Sequence, residues 1–190
     1  MENKDNLFSV VRELREDCAR KQQKGLHFII TSVMIWLAIS FIQILPLPTF
    51  TKNLYMFCCS APLIPLAYLV SKLIKVDFQN KDNPLTSLGI LFSVNQMLYI
   101  LIVMWIYGCV PDKMLMVYAM IFGAHLLPYG WLYQSKMYYI MSILIPIMAL
   151  LVGLYYSALV VAVVMFLVEI VFCVGLIMEN SMYSRVQNEV

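Results

Sequence analysis

The 190-residue chain is too apolar for a soluble domain, with 62% hydrophobic residues, 13% charged residues and a mean hydropathy of +0.81. A soluble domain typically has about a quarter of its residues charged. No connecting stretch is long enough to bury a core of its own. The net charge of +2 is modest, and we expect no nucleic-acid partner. These properties predict an all-α polytopic membrane protein with membrane lipids as its surroundings.

A polar segment, residues 1–25, precedes the first apolar stretch. Leu7, Val11, Leu14 and Cys18 recur in it at helical spacing, with charged residues on the other faces. We predict a cytoplasmic amphipathic helix that either lies on the inner leaflet or docks on its own bundle or on a partner. We expect no cleavable signal peptide, because the first apolar run is too long for one.

Six apolar stretches follow, each about as long as the 20 residues that cross a bilayer as a helix. The predicted spans are 26–45, 54–74, 85–109, 114–133, 137–156 and 157–178, and residues 179–190 form a cytoplasmic tail. The fifth and sixth spans are the least separated, since only a short Gly and Tyr segment divides them. One long span with a re-entrant piece is the alternative for this pair.

The positively charged residues indicate the orientation of these spans, because cytoplasmic loops are enriched in Lys and Arg. With the N terminus inside, only Lys52 and Lys113 of the 13 basic residues fall outside. The inner side then holds Lys4, Arg12, Arg15, Arg20, Lys21, Lys24, Lys72, Lys75, Lys81, Lys136 and Arg185. We therefore predict a multi-pass plasma (inner) membrane protein with both termini cytoplasmic. Several aromatic residues then fall at the inner interface, where we expect an aromatic belt: Tyr129, Trp131, Tyr133, Tyr138 and Tyr139.

The second and fourth spans share a weak sequence pattern. Residues 60–69 (SAPLIPLAYL) align with residues 123–132 (GAHLLPYGWL), with coincident Ala, Leu, Pro and Leu. Both spans run in the same direction, which suggests parallel repeats of a two-helix hairpin of the kind that builds some transporters. Chance alignment of apolar segments is the alternative.

Four polar residues in the spans are candidate binding residues for a substrate or ion: Glu169, His125, Asn95 and Gln96. Counted from the cytoplasmic ends of their spans, Glu169, His125 and Asn95 lie roughly 12–15 Å deep, and Gln96 is next to Asn95. Ionisable groups at that depth are costly and are functional candidates by default. A His and Glu pair could exchange a proton near neutral pH, with the two amides as polar lining. Each of the four could instead be structural, satisfied by neighbouring helices.

Four prolines fall within about one turn of the same depth, and we expect helix breaks near the site at Pro62, Pro65, Pro128 and Pro146. Broken helices and polar side chains at the midplane are typical of transporter binding sites.

No metal, cofactor or catalytic residue is indicated. The five cysteines show no C-x-x-C or zinc spacing, and the chain lacks H-E-x-x-H, G-x-S-x-G and Walker A patterns. Cys58, Cys59 and Cys109 fall near one face of the membrane, so a disulfide there is possible, although buried small hydrophobes are the simpler interpretation.

The run Gly123-Ala124-His125-Leu126-Leu127-Pro128-Tyr129 is the most distinctive in the chain, which as a whole resembles an uncharacterised family of small bacterial six-helix integral membrane proteins. That resemblance implies a bacterial inner membrane and carries no function. Six spans in this length also resemble the substrate-binding subunits of energy-coupling-factor vitamin transporters. Those subunits carry small residues on the first helix, whereas the first span here offers only Ala38 among bulky residues.

The leading hypothesis is a small-solute or ion transporter, or its membrane-embedded binding subunit, with Glu169 and His125 at the site. We expect a homodimer, because six helices offer little wall for a sealed pathway. Two alternatives stay open. One is a non-catalytic interaction, immunity or regulatory protein, and the other is an intramembrane enzyme that acts on a lipid or quinone.

Overall fold

A computed structural model describes the backbone of residues 2–188 and the side-chain environment of residues 6–182. The side chains of Lys4 and Arg185, both in the charge count above, lie outside the described residues, as do residues 189–190. Within this part the chain forms nine α-helices and two short 3-10 turns. The helices are α1 (Glu2–Lys21), α2 (Leu26–Ile44), α3 (Thr49–Ser60), α4 (Leu63–Leu73), α5 (Leu85–Cys109), α6 (Met114–Ala124), α7 (Leu127–Leu132), α8 (Lys136–Tyr155) and α9 (Ala158–Asn188).

Five helical segments are long and apolar enough to cross a membrane: Gln23–Ile44, Leu85–Cys109, Pro111–Leu132, Lys136–Tyr155 and Ala158–Met182. The pair α3 and α4 makes a sixth if the two helices, bent by 43° at their junction, are counted as one broken span. The described chain is thus an all-helical membrane protein with five to six candidate spans. The fifth and sixth predicted spans are two separate helices, since α8 ends at Tyr155 and α9 begins at Ala158.

The aligned second and fourth segments both break at the predicted prolines. One break separates Ser60 from Leu63, and the other separates Ala124 from Leu127. A proline lacks the N–H that would continue the helical ladder and crowds the preceding turn. The shared position agrees with the sequence alignment, while the hairpin repeat itself stays a prediction.

Pro146 does not follow this rule. It lies inside α8, which continues to Tyr155 without interruption, so the expected helix break there is not met. The physical reason lies in the packing of α8 on α6. A Cβ added to Gly123 of α6 would come within 2.5 Å of the Pro146 ring and 2.6 Å of Ile145. The absent side chain therefore lets α6 approach α8 closely, and this contact packs α6 against α8 at Ile145 and Pro146.

The helices pack in two groups around a shared core. The helix α2 packs mainly on α9 and α4, while α6 packs mainly on α8. The helix α5 packs on α6 and α7 and is the least buried, with Val103 as its one fully buried residue among those described. The largest buried side chains include Trp36 of α2 and Phe172 of α9. The candidate site described below lies in the gap between the α2–α4 pair and α5.

The two ends of the bundle differ in composition. At one end, Lys24, just before α2, pairs with Glu179 of α9 at 3.0 Å. Glu179 also accepts hydrogen bonds from Ser135 Oγ at 2.6 Å and from the Met137 backbone N–H at 2.9 Å, both at the start of α8. At the other end, the Lys113 ammonium group donates to the Gly153 carbonyl at 2.7 Å. The segments that connect the helices thus lie at the two opposite ends of the bundle.

The second half of α1 docks on the bundle at the Lys24 end. The Arg15 guanidinium donates to the Trp131 carbonyl at 2.8 Å. Asp17 accepts hydrogen bonds from the Asn80 and Asn83 amides, each at 2.9 Å, in the loop between α4 and α5. Burial raises the pKa of Asp17, but these bonds and one from Lys21 outweigh it and hold the pKa at about 2. The first half of α1 leaves Leu7 and Phe8 exposed, so the docking contacts among its described side chains lie in its second half.

Candidate functional site

A cavity of about 340 Å³ lies between the two groups of helices. The helices α2 and α4 form one wall, α5 forms the facing wall, and α6 and α7 close the back. Three α5 side chains that line it, Ile90, Val94 and Met97, are each half exposed. Because α4 packs mainly on α2 and α5 on α6 and α7, the cavity is open on the side between α4 and α5. In a bilayer that opening faces the lipid.

The cavity lining is mostly apolar, with a small number of polar groups at fixed places. His125, Gln96 and Ser32 line it together with Ser93 and Tyr129. Ligand sites commonly have this make-up, in which apolar surface supplies affinity and a few polar groups supply orientation. A ligand of matching chemistry is mostly apolar and carries one or two hydrogen-bonding groups.

His125 occupies the break between α6 and α7. The break ends the α6 ladder at Ala124 and turns the imidazole toward the cavity. Its Nδ1 lies against the Phe122 carbonyl, and a carbonyl can only accept, so Nδ1 carries the proton. The other ring nitrogen, Nε2, is then an acceptor. The ring is held by edge contacts with Phe122 and Tyr129, with centroids 5.4 and 6.0 Å away.

Glu169 lies behind the cavity wall. It is fully buried between α9 and α2 and does not line the cavity. Its Oε2 contacts the Ser32 hydroxyl, while its Oε1 has no hydrogen-bond partner among the described residues. Ser32 also donates to the Ile29 carbonyl at 2.9 Å. Since a hydroxyl has a single proton, Ser32 serves both contacts only if a protonated Glu169 donates to it. Ser32 therefore separates the carboxyl from the cavity.

The two neighbouring amides on α5 face different surroundings. Gln96 lines the cavity. Asn95 is exposed on the outer side of α5, and its Nδ2 donates to the Tyr99 hydroxyl at 3.2 Å. Of the four predicted site residues, the structure therefore brings His125 and Gln96 to one cavity, places Glu169 one hydroxyl away, and turns Asn95 outward.

The predicted prolines lie around the cavity rather than in it. Pro62 and Pro128 lie next to the two helix breaks. Pro65 lines a neighbouring surface cavity of about 790 Å³ between α4 and the loop that follows it. Phe78 of that loop lines both cavities, and its ring packs on Phe28 and Tyr68. This loop thus forms the wall that separates the two cavities.

Three tyrosines near the cavity were not predicted as site residues. Tyr129 hydrogen-bonds Ser93 at 2.6 Å across the back of the cavity. Tyr133 and Tyr138 are buried, and their hydroxyls donate to Gln22 at 2.8 Å and to the Lys24 carbonyl at 3.0 Å. The expected aromatic belt is therefore wrong for these two. Their tight clustering in sequence was the available signal, but spacing alone does not distinguish a belt from a buried cluster.

Among the described residues, the metal-ligating side chains form no cluster and the cysteines form no disulfide. No group of three or more His, Cys, Asp or Glu side chains in that part of the chain could hold a metal ion. All five cysteines are free thiols, with Cys58 and Cys109 exposed. The site is thus defined by one imidazole, hydroxyls and an amide.

The five to six apolar helices define a small polytopic helical membrane protein, with the cavity between them. Residues 11–179 match the model of a family of unknown function, DUF7010, and the chain belongs to that family. No curated protein and no solved structure matches the chain.

Proposed function

We propose that this chain is a six-span membrane protein that binds a small, mostly apolar solute with a hydrogen-bonding group, as a transporter or as its membrane-embedded binding subunit. The observation that carries the proposal is the cavity of about 340 Å³ with His125 and Gln96 in its wall and an opening between α4 and α5. A lateral opening admits a ligand that is already dissolved in the bilayer. We therefore assign the ligand to the amphiphiles rather than to free ions.

The orientation that we propose has both termini in the cytoplasm. The support is the grouping of basic residues, because Lys24, Arg15 and Lys21 make contacts at the same end of the bundle. Lys52 and Lys113 donate to carbonyls at the other end. Cytoplasmic ends of membrane proteins carry the excess of Lys and Arg. The cavity then extends from the midplane toward the cytoplasmic side, where Gly25 and Gln79 line it.

Binding is favoured over catalysis by the separation of the two ionisable groups. His125 contacts the Phe122 carbonyl and Glu169 contacts Ser32, so the pair does not share the cavity. Glu169 is instead suited to a proton site that communicates through Ser32, a residue of the cavity lining. In this proposal His125 and Gln96 orient the polar group of the ligand, and Glu169 exchanges a proton during transport.

The test uses photolabelling of the protein in phosphatidylcholine nanodiscs with a palmitate analogue that bears a diazirine and an alkyne. We expect saturable labelling that maps to the cavity walls on α4 and α5. Val94→Trp, which fills the cavity, should abolish the saturable part. Leu101→Trp is the matched control, because Leu101 lies on the same helix, is similarly exposed (64% against 54%) and does not line the cavity. Labelling that does not saturate, or that is equal in the two variants, would refute amphiphile binding in this cavity.

A further inference from the structure

The outer face of α5 has no partner in the described chain. In the most apolar part of this 25-residue span only 6% is buried, against 33–61% in the other four candidate spans. A lipid-facing helix is normally uniformly apolar, because polar side chains in hydrocarbon turn toward protein. The outer face of α5 departs from that rule at Asn95, near the middle of the span.

The exposed residues of α5 fall on two neighbouring stripes with the same regular interval. One stripe runs along the cavity side through Ile90, Val94 and Met97, and the other contains Asn95. Leu91, Asn95, Leu98, Ile102 and Trp105 are separated by four, three, four and three residues, and one further step of four leads to Cys109. All of these positions are exposed. This interval is that of the a and d positions of a coiled coil, which form the contact stripe between two supercoiled helices. We call these residues, from Leu91 to Trp105, the α5 seam.

The seam is separate from the two faces of α5 that are already in use. Val103 and Phe92 face the core, and Ile90, Val94 and Met97 face the cavity. At 3.6 residues per turn, the core face lies about a third of a turn from the seam and the cavity face about a quarter of a turn from it on the other side. A helix centred on the seam therefore packs beside the cavity face, with Val94 at the shared edge.

Asn95 indicates what packs there. Its amide has two donor hydrogens and a carbonyl acceptor, and its one hydrogen bond in the described structure, to Tyr99, uses a single donor. An amide is complementary to a second copy of itself. A single Asn at an a position fixes the register and number of strands in a coiled coil, and Asn also hydrogen-bonds across transmembrane helices.

We propose that the α5 seam is the interface of a parallel homodimer, in which two copies of the chain meet around Asn95 and its symmetry mate. A two-fold axis along the membrane normal brings the same seam residues of both copies together. The shared orientation of the copies places both Cys109 thiols at the same end of the interface. The proposal does not rest on the cavity or on its ligand.

The test is disulfide crosslinking in native membranes at single cysteines. In a background with the native cysteines replaced by Ala or Ser, Ile102→Cys is compared with Met104→Cys, which is similarly exposed but points to the opposite side of α5 (48% and 58% exposed). A chain that keeps only Cys109 is the third sample. With copper phenanthroline, we expect dimers at position 102 and at Cys109, and at least tenfold less dimer at position 104.

Two further measurements keep the proposal falsifiable. Native mass spectrometry of the unaltered chain from nanodiscs should give a dimer without any cysteine change. Asn95→Leu should reduce the dimer fraction several-fold, while Asn95→Gln should restore much of it. Equal crosslinking at positions 102 and 104 would indicate random collision and overturn the seam. A monomer in the mass spectrum, with no crosslink at any position, would mean that lipid covers α5 and would also overturn it.

Discussion

Whether a polar residue of this protein lines the cavity depends on the side of the helix that it occupies rather than on its depth in the membrane. The sequence placed Asn95, Gln96, His125 and Glu169 at one depth, but only Gln96 and His125 line the cavity. Depth follows from counting residues along a helix of known rise. Which side of a helix faces its neighbours depends on the helices that pack against it. A nearly uniform hydropathy pattern does not reveal that side. The sequence therefore predicted the depth of the candidate site and two of the four residues proposed for it.

At Glu169 the structure predicts that a neutral isostere is tolerated. Glu169→Gln should change the free energy of unfolding by less than about 1 kcal/mol, because the amide can donate to Ser32 in place of a protonated carboxyl. Glu169→Ala should cost about 2–4 kcal/mol, because it leaves a hole in the α2–α9 contact. Thermal unfolding in detergent, followed by scanning fluorimetry, measures both. If the Gln variant were as unstable as the Ala variant, the carboxyl would be held in its charged form.

At Gly123 the structure predicts that a single methyl group disturbs the packing of α6 on α8. Gly123→Ala should destabilise the protein by about 1–3 kcal/mol, because a Cβ there would meet Pro146 and Ile145 at 2.5 and 2.6 Å. Gly108→Ala in α5 is the control, since a Cβ there would meet nothing within 4 Å. That change should be neutral or slightly stabilising. Equal melting temperatures for the two variants would contradict the close approach.

At the scale of elements, the hydropathy pattern and the positions of the prolines predict most of the helices. Five of the predicted spans agree with long apolar helices, because the bilayer requires long runs of apolar residues with satisfied backbones, and the second corresponds to the bent pair α3 and α4. Prolines predicted the breaks beside Pro62 and Pro128 but failed at Pro146, where α6 packs closely against the helix. The sequence does not decide where α1 docks, because the polar contacts of α1 join residues more than 60 positions apart. A local sequence pattern carries no information about contacts between residues so far apart in the chain.

The attachment of α1 gives a prediction for Asp17. Asp17→Asn should loosen α1, because the buried Asn80 and Asn83 amides lose a charged acceptor. Since Asp17 is itself partly exposed, we expect a modest loss of about 1 kcal/mol. Trypsin cleavage within α1 should then be roughly fivefold faster in the variant, as fragment analysis can measure. Glu13→Gln, at an exposed position on the same helix, should leave the rate unchanged.

The same carboxylate sets the pH response of α1. Docking lowers the pKa of Asp17 from its ordinary value of 3.8 to about 2. Its contribution is therefore full above pH 3.8 and is lost as the pH falls toward 2. A spin label at position 10 should show constant α1 mobility from pH 7 to pH 4 and rising mobility only below that range. A transition near pH 6 would mean that another group controls the docking.

At the scale of the whole molecule, the number of spans is decided by the broken pair α3 and α4. If the pair crosses the membrane, the chain has six spans and both termini lie on the same side. If it re-enters instead, there are five spans and the termini lie on opposite sides. The ion pair between Lys24 and Glu179, at 3.0 Å, joins the start of α2 to the last turn of the candidate span in α9. That contact is compatible with an even number of spans and argues against five.

We therefore expect the N terminus and the C terminus in the cytoplasm and the turn at Asp112 outside. Reporters in a bacterial host distinguish the alternatives, with alkaline phosphatase active only outside and green fluorescent protein fluorescent only inside. Six spans with the N terminus inside predict fluorescence at both termini and phosphatase activity at position 112. Five spans would move position 112 inside and the C terminus outside while leaving the N terminus inside. Complete inversion of all three signals would overturn the orientation derived from the 13 basic residues, and the cavity would then extend toward the outer leaflet.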